Sequence, residues 1–438
     1  MGRADAMRGR WITHWDPEDP VFWAATGRRV AARNLVFSIL VEHLGFSVWL
    51  LWSAIVVFLP RAGHPFTVDQ LFWLVAAPNL AGAALRLPYT FAVSAFGGRN
   101  WTVVSGLLLL VPVGLLSWAV AHPGTPYWMF LVAAATAGLG GGNFASSMAN
   151  VSYFYPERRK GFALGVNAAG GNLGVASVQL VVPLTVSAGL AVAGLLWAVP
   201  IVAAAVCAYL FMDNLAVARA GFAAQRGAFR RTHTWVMSFL YIGTFGSFIG
   251  YSSALPLVID AAFAGAAAPH FAFLGALVGS LARPAGGWLA DRYGGARVTA
   301  WSLTAMAAGV LGAVAGLRAH HFPLFLGAFL VLFAASGAGN GSTYRMIPAI
   351  FTARAEGGSR LAARREAAAA IGIASAVGAA GGFLVPRGFA VSLGATGSAE
   401  PALYAFLAAY GVFLAVNWWF YRRRVLAGRI PSLAGSRV

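Results

Sequence analysis

Cysteine occurs once, at Cys207 in an apolar run, so no disulfide can form within the chain and a thiol nucleophile has no support. Charge is scarce: Asp, Glu, Lys and Arg together make up 10% of 438 residues, and only 13 of them are acidic. So little charge cannot clothe a soluble domain, and the 59% hydrophobic content and mean hydropathy of +0.72 exclude one. Of the eight histidines only His43 sits clearly inside an apolar run, and Asp and Glu are nearly absent from such runs. No catalytic constellation or cluster of metal ligands is therefore visible, and neither an enzyme nor a cofactor is expected. A Gly-Lys-Ser/Thr phosphate loop does not occur, which removes an ATP-driven pump. The first 34 residues, with "WITHWDPEDPVFW" and Arg28, Arg29 and Arg33, lack the apolar core of a secretory signal, so the first helix is expected to remain in the mature protein.

What is present are apolar runs long enough to cross roughly 30 Å of hydrocarbon. They lie near 35–59, 69–95, 100–121, 126–154, 162–188, 190–211, 235–259, 270–290, 298–317, 323–351, 369–394 and 401–421. The expected fold is an all-α polytopic membrane protein of twelve transmembrane helices. With the N-terminus placed in the cytoplasm, all but six of the 31 basic residues fall on the cytoplasmic side. Arg61, Arg318 and Arg387 fall opposite, and Arg86, Arg283 and Arg345 fall inside helices. That is the positive-inside pattern, so the net charge of +18 reports topology and not a nucleic-acid partner. Both termini are expected to be cytoplasmic.

The polar stretch 212–234 is the longest connection and divides the chain into two sets of six helices, 35–211 and 235–421, flanked by a cytoplasmic segment 1–34 and a basic tail 422–438. A shift of 197 residues lays "LRLPYTFAVSAFGG" (85–98) on "ARPAGGWLADRYGG" (282–295), superimposing Arg86 on Arg283 and Gly-Gly on Gly-Gly. The same shift lays "GGGNFASSMANVSYF" (140–154) on "GAGNGSTYRMIPAIF" (337–351). Six helices per copy make the repeats parallel, an arrangement that holds substrate near mid-membrane between the halves. Each arginine lies about 10 to 15 Å from the cytoplasmic end of its run, too deep to reach the interface easily. Two repeat-related guanidiniums, each planar, permanently charged and rich in paired donors, predict a site for a small anion.

The residues around that site add ring faces and amides. Phe144 in the fourth run, and Tyr241, Phe245, Phe248 and Tyr251 in the seventh, are candidate cavity aromatics, with Tyr241 and Phe245 one helical turn apart. The spacings Gly161/Gly165, Gly170/Gly174 and Gly378/Gly382 put small residues on one face and predict close helix contact. Asn172 and Gln179 offer amide donors beside them.

At these residues the chain resembles the nitrate/nitrite porter family of the major facilitator superfamily. The likeness runs through "WDPEDPVFW", "LRLPYTF", "GGNFASSMANVSYFYP", "GVNAAGGNLGVASVQLVVP", "SFLYIGTFGSFIGYS", "LARPAGGWLADRYGGARVT", "GNGSTYRMIP" and "SAVGAAGGFLVP", across nearly the whole chain. The glycine segments holding Gly170, Gly171 and Gly174, and Gly378, Gly381 and Gly382, resemble that family's paired signatures. "GGWLADRYGGAR", with Asp291, is the wider superfamily's loop pattern. The resemblance implies the major facilitator fold in a bacterial inner membrane, working as a monomer in the lipid bilayer, with nitrate and nitrite as substrates. It also implies Arg86 and Arg283 as charged ligands, Tyr241 as a hydroxyl donor, Phe144 and Phe245 as ring faces and Asn172 as an amide contact.

Two features depart from the family pattern. Glu42 and His43 stand inside the first helix, and Arg345 stands about 9 Å from the cytoplasmic end of the tenth, where it reads as a gate or anchor residue. Superimposing "FSVWLLWS" (46–53) on "FGSFIGYS" (245–252) brings Glu42 onto Tyr241. Two unpaired guanidiniums should hinder return of an empty carrier and favour exchange, whereas an ionised Glu42 can offset their charge and take up a proton when the anion arrives. The expectation is proton-coupled nitrate symport, with nitrate/nitrite antiport as the alternative. An organic-phosphate exchanger or an anion channel would look similar in sequence, and competition by sugar phosphates or single-channel currents would separate them.

Overall fold

The computed structural model describes residues 10–218, 227–263, 268–353 and 360–423. Helix α1 opens at Asp19, whose side chain accepts from the Val21 N–H (2.9 Å) ahead of Pro20 at the first helical position. It runs over Pro20–Trp49, bends by 46° and continues through Leu51–Phe58. The helix thus starts well before the apolar run, because a capping Asp-Pro sets its beginning and hydrophobicity does not. Then come α2 (Val68–Phe96), α3 (Gly98–Ala121), α4 (Tyr127–Phe154), α5 (Glu157–Ala188) and α6 (Leu190–Phe211). The second series is α7 (Thr232–Ala262), α8 (Phe273–Tyr293), α9 (Gly295–Arg318), α10 (Phe322–Phe351), α11 (Glu366–Thr396) and α12 (Glu400–Arg422).

Ten of these are long and apolar enough to span a membrane, and eleven if bent α1 counts as one span. Helix α8 falls outside that group because Arg283 and its glycines depress its hydropathy. The repeat read from sequence has a backbone counterpart. Helices α2 and α8 end at Gly97 and Gly294, 197 residues apart, at φ +90° and +91°, a region open to glycine without strain.

Glycines also set the helix spacing. A Cβ on Gly140 would stand 2.1 Å from the Gly45 carbonyl oxygen, and one on Gly337 2.0 Å from that of Gly279, so α4 meets α1 and α10 meets α8 backbone to backbone. In lipid, where apolar side chains gain little by associating with each other, such close packing is what holds helices together. Gly161 and Gly165 contribute nothing of this kind: a Cβ on either meets open space. They lie near the start of α5, outside the stretch pressed onto α1.

At the end of the bundle nearer the termini, a two-residue strand β1 (Trp11–Ile12) pairs in parallel with β2 (Asn214–Leu215). Trp23, Phe154, Leu215 and Ala218 form a small apolar cluster beside it, and Glu18 accepts the orphan Glu157 N–H at the start of α5 (2.9 Å). The opposite end carries polar ties between α1–α6 and α7–α12. Asn79 donates to Ser253 (2.8 Å), Gln179 donates across to the Ser252 carbonyl (2.6 Å) while also holding Ser53 of α1 (3.0 Å), and Arg387 pairs with Asp69 at 2.8 Å. Gln179 is therefore a strut and not a neighbour of the arginines.

Candidate functional site

Arg86 on α2 and Arg283 on α8 are both buried, at 0% and 3% exposure, and neither has a carboxylate within 4.0 Å among the described residues. Arg86 is held by backbone: its Nε donates to the Gly141 carbonyl of α4 (3.1 Å) and one Nη to the Ser375 carbonyl of α11 (2.7 Å). Arg283 donates one Nη to the hydroxyl of Tyr241 on α7 (3.2 Å). Each guanidinium keeps one buried Nη with no partner, Nη2 of Arg86 and Nη1 of Arg283.

The two guanidiniums share ring faces. Phe144 of α4 lies 4.6 Å from the Arg86 Cζ and 5.6 Å from the Arg283 Cζ, and Phe245 of α7 lies 4.8 Å and 6.0 Å from the same atoms. The Phe144 and Phe245 rings are 5.9 Å apart at an interplanar angle of 24°, and Tyr241 stacks on Phe245 at 5.1 Å and 9°. A local widening of α7 into a π turn over Ile242–Gly246 begins directly after Tyr241 and includes Phe245. Ring quadrupoles partly satisfy a buried cation without supplying the oxygens a guanidinium prefers. What remains is two open, charge-assisted donors in an aromatic box, suited to the oxygens of a planar anion.

Glu42 of α1 lies in the neighbouring wall, fully buried. One carboxylate oxygen accepts from Ser147 of α4 and from the Asn167 amide of α5, and the other has no hydrogen-bond partner. Ser38 joins the cluster, 2.9 Å from the Ser147 hydroxyl. His43 takes no part: its Nδ1 is 3.0 Å from the Gly170 carbonyl. Asn172 of α5 is fully buried with both amide atoms unpartnered, one residue from Gly171, where a Cβ would meet the Glu42 carboxylate at 2.6 Å.

The remaining signature residues shape these walls. Gly170 abuts Ile39, and Gly174 abuts the His43 carbonyl, locking α5 onto α1. Gly378 abuts the Tyr241 ring, Gly381 abuts Gly246 and Gly382 abuts Ile249 and Asn79, so α11 presses the α7 π turn into place. Arg345 and Asp291 pair with each other at the exposed ends of α10 and α8, away from the central arginines, and link two helices of the second repeat. Phe248 and Tyr251 also lie elsewhere. Phe248 packs on Phe333, and Tyr251 bonds the Tyr410 hydroxyl (2.9 Å) among Phe329, Phe389 and Phe406.

Two neighbours of the site were not anticipated. Trp49 sits 5.2 Å from the Arg86 Cζ, anchored by its indole N–H on the Pro78 carbonyl (2.9 Å). Tyr344 of α10 sits 5.5 Å from the Arg283 Cζ. The 197-residue shift carried a signal for the second, since it lays Ser147 on Tyr344.

Residues 43–386 match the model of the Major Facilitator Superfamily. The chain is 41% identical to the nitrate/nitrite transporter NarU of Salmonella typhimurium, over 97% of this chain and 99% of that one. It is 39% identical to the probable nitrate/nitrite antiporter NarK2 of Thermus thermophilus, over 96% and 98%. Among solved structures, the xylose transporter XylE of Escherichia coli superimposes with a TM-score of 0.67 at 12% identity, covering 90% of this chain and 98% of that one. A bacterial homologue of the human lysosomal transporter Spinster superimposes with a TM-score of 0.65 at 13% identity, covering 89% and 96%. These structural likenesses establish the shared fold. By its family model and by relatives matched nearly end to end, the chain belongs to the nitrate/nitrite porter family of the major facilitator superfamily.

Proposed function

We propose that this multi-pass protein of the bacterial inner membrane carries nitrate and nitrite by alternating access, the anion lying between Arg86 and Arg283. The observation that carries this reading is the pair of buried guanidiniums, each with an unpartnered Nη and no carboxylate in reach, bracketing Phe144 and Phe245. Substrates named for relatives at 39–41% identity support the identity of the anion. Tyr241 orients Arg283 and offers its own hydroxyl proton, the two phenylalanines shield the faces of the planar ion, and Asn172 is a further amide donor. Helices 35–211 and 235–421 would rock as two halves about this site, joined by 212–234. The proposed working unit is a monomer in the bilayer.

For coupling, we propose proton symport through Glu42. Its free carboxylate oxygen is the protonation point, and Ser147 and Asn167 hold the other oxygen in either state. Ionised, the group offsets the arginines when no anion is bound; protonated, it lets a bound anion carry the balancing charge. The alternative is nitrate/nitrite exchange. It draws support from the lack of any ion pair at either arginine among the described residues, which leaves two positive charges to oppose return of an unloaded carrier.

Uptake of labelled nitrate into proteoliposomes separates these readings. Accumulation in empty vesicles that follows an inward proton gradient is the result expected of symport. Uptake only into vesicles preloaded with nitrite would establish exchange. No saturable uptake under either condition would overturn the carrier reading.

A further inference from the structure

The hydroxyl of Tyr344 is buried and has no hydrogen-bond partner. Leaving a buried O–H unsatisfied costs about 1–3 kcal/mol, a cost a phenylalanine of the same shape would not incur. The hydroxyls of Tyr241, Tyr251 and Tyr410, on the neighbouring α7 and α12, all have partners. The Tyr344 ring is also part of the arginine box: it lies 5.5 Å from the Arg283 Cζ, 5.8 Å from Tyr241 and 6.4 Å from Phe144.

The internal repeat gives this position a meaning. Its counterpart, Ser147, donates to the carboxylate of Glu42. By the separate superposition of "FSVWLLWS" on "FGSFIGYS", offset by 199, the counterpart of Glu42 is Tyr241, which brings no carboxylate. Both copies thus carry a hydroxyl at the same place. In the first it serves an acidic side chain of the protein, and in the second that acceptor is missing, which leaves the donor for an anion that comes and goes.

Nitrate presents three oxygens in a plane and nitrite only two. The two guanidiniums supply one open Nη each, and to the Tyr241 hydroxyl and Asn172 amide proposed above the Tyr344 phenol, its ring 5.5 Å from the Arg283 Cζ, adds a further donor with no partner of its own. Resting on the nitrate/nitrite reading above, we propose that Tyr344 donates to the third oxygen of nitrate, the atom nitrite lacks, and so sets the preference between the two anions.

The test measures nitrate and nitrite affinities by calorimetry on the purified full-length protein, wild type and Tyr344→Phe, together with melting temperatures without ligand. The expected result is nitrate binding weakened about five- to tenfold with nitrite binding changed less than about twofold, so that selectivity falls by nearly the whole factor. The ligand-free melting temperature should stay level or rise, since an unsatisfied group is removed. Equal weakening of both anions would put the hydroxyl on a shared oxygen and overturn the assignment, as would unchanged nitrate affinity. A lower ligand-free melting temperature would overturn it too, by giving the hydroxyl a structural partner. If the wild type binds neither anion, the transport reading itself fails and this assignment goes with it.

Discussion

Replacing Arg86 with lysine keeps the charge and removes the geometry. The guanidinium spans two partners and keeps a third direction free: Nε reaches the Gly141 carbonyl at 3.1 Å, one Nη reaches the Ser375 carbonyl at 2.7 Å, and the other Nη is open. A lysine ammonium is a single point with three donors on a flexible stem and cannot cover a planar fork braced from α4 and α11. The variant therefore loses the directed, charge-assisted bond to the anion while keeping much of the through-space attraction. One such bond is worth about 1.5–3 kcal/mol, so nitrate affinity should fall roughly 10- to 150-fold. Calorimetry on the purified protein reads the affinity, and counterflow in proteoliposomes reads the transport KM. Arg283→Lys should behave alike, because its Nη is likewise braced, by the Tyr241 hydroxyl. Affinities within threefold of wild type in both variants would refute the arginine site.

Three further outcomes follow from the same geometry. Glu42→Gln should abolish nitrate accumulation driven by a proton gradient while leaving exchange against internal nitrite; persistence of the driven uptake removes Glu42 from coupling. Gly140→Ala should fail to reach the membrane in folded form, because its Cβ meets a carbonyl oxygen at 2.1 Å, whereas Gly161→Ala, facing open space, should express normally with unchanged transport; equal expression of the two would show that the α1–α4 contact is not limiting. Asp291→Asn breaks a half-exposed pair with Arg345, with side chains 60% and 49% accessible, so stability should change by no more than about 1 kcal/mol and nitrate affinity should hold. A drop in affinity beyond threefold would connect that pair to the site.

How the helices face one another decided several assignments that spacing alone could not. Tyr241, Phe245, Phe248 and Tyr251 all lie in one stretch of α7, yet two line the arginine box and two pack against α10 and α12. The π turn over Ile242–Gly246 shifts the facing of residues along α7, and a regular helical wheel does not contain that shift. Glu42 and His43 are adjacent in sequence, but successive residues point to different sides of a helix. Glu42 meets Ser147 and Asn167, while His43 turns to the Gly170 carbonyl. The pairing of Trp11–Ile12 with Asn214–Leu215 joins two segments too short for any periodicity, some 200 residues apart.

Composition by itself determined that this is a membrane protein, because a chain with 10% charge has no soluble surface to offer. The 197-residue repeat determined that its two deepest arginines correspond, and the repeated Gly-Gly that closes α2 and α8 is a local backbone requirement any reading can see. Only the tertiary structure decided which donors stay open. Hydrogen-bond satisfaction is a property of neighbours brought from distant parts of the chain: Arg86 is braced by a carbonyl 289 positions away. The unpartnered Nη atoms and the Tyr344 hydroxyl exist as a set only once α2, α4, α7, α8, α10 and α11 are packed together.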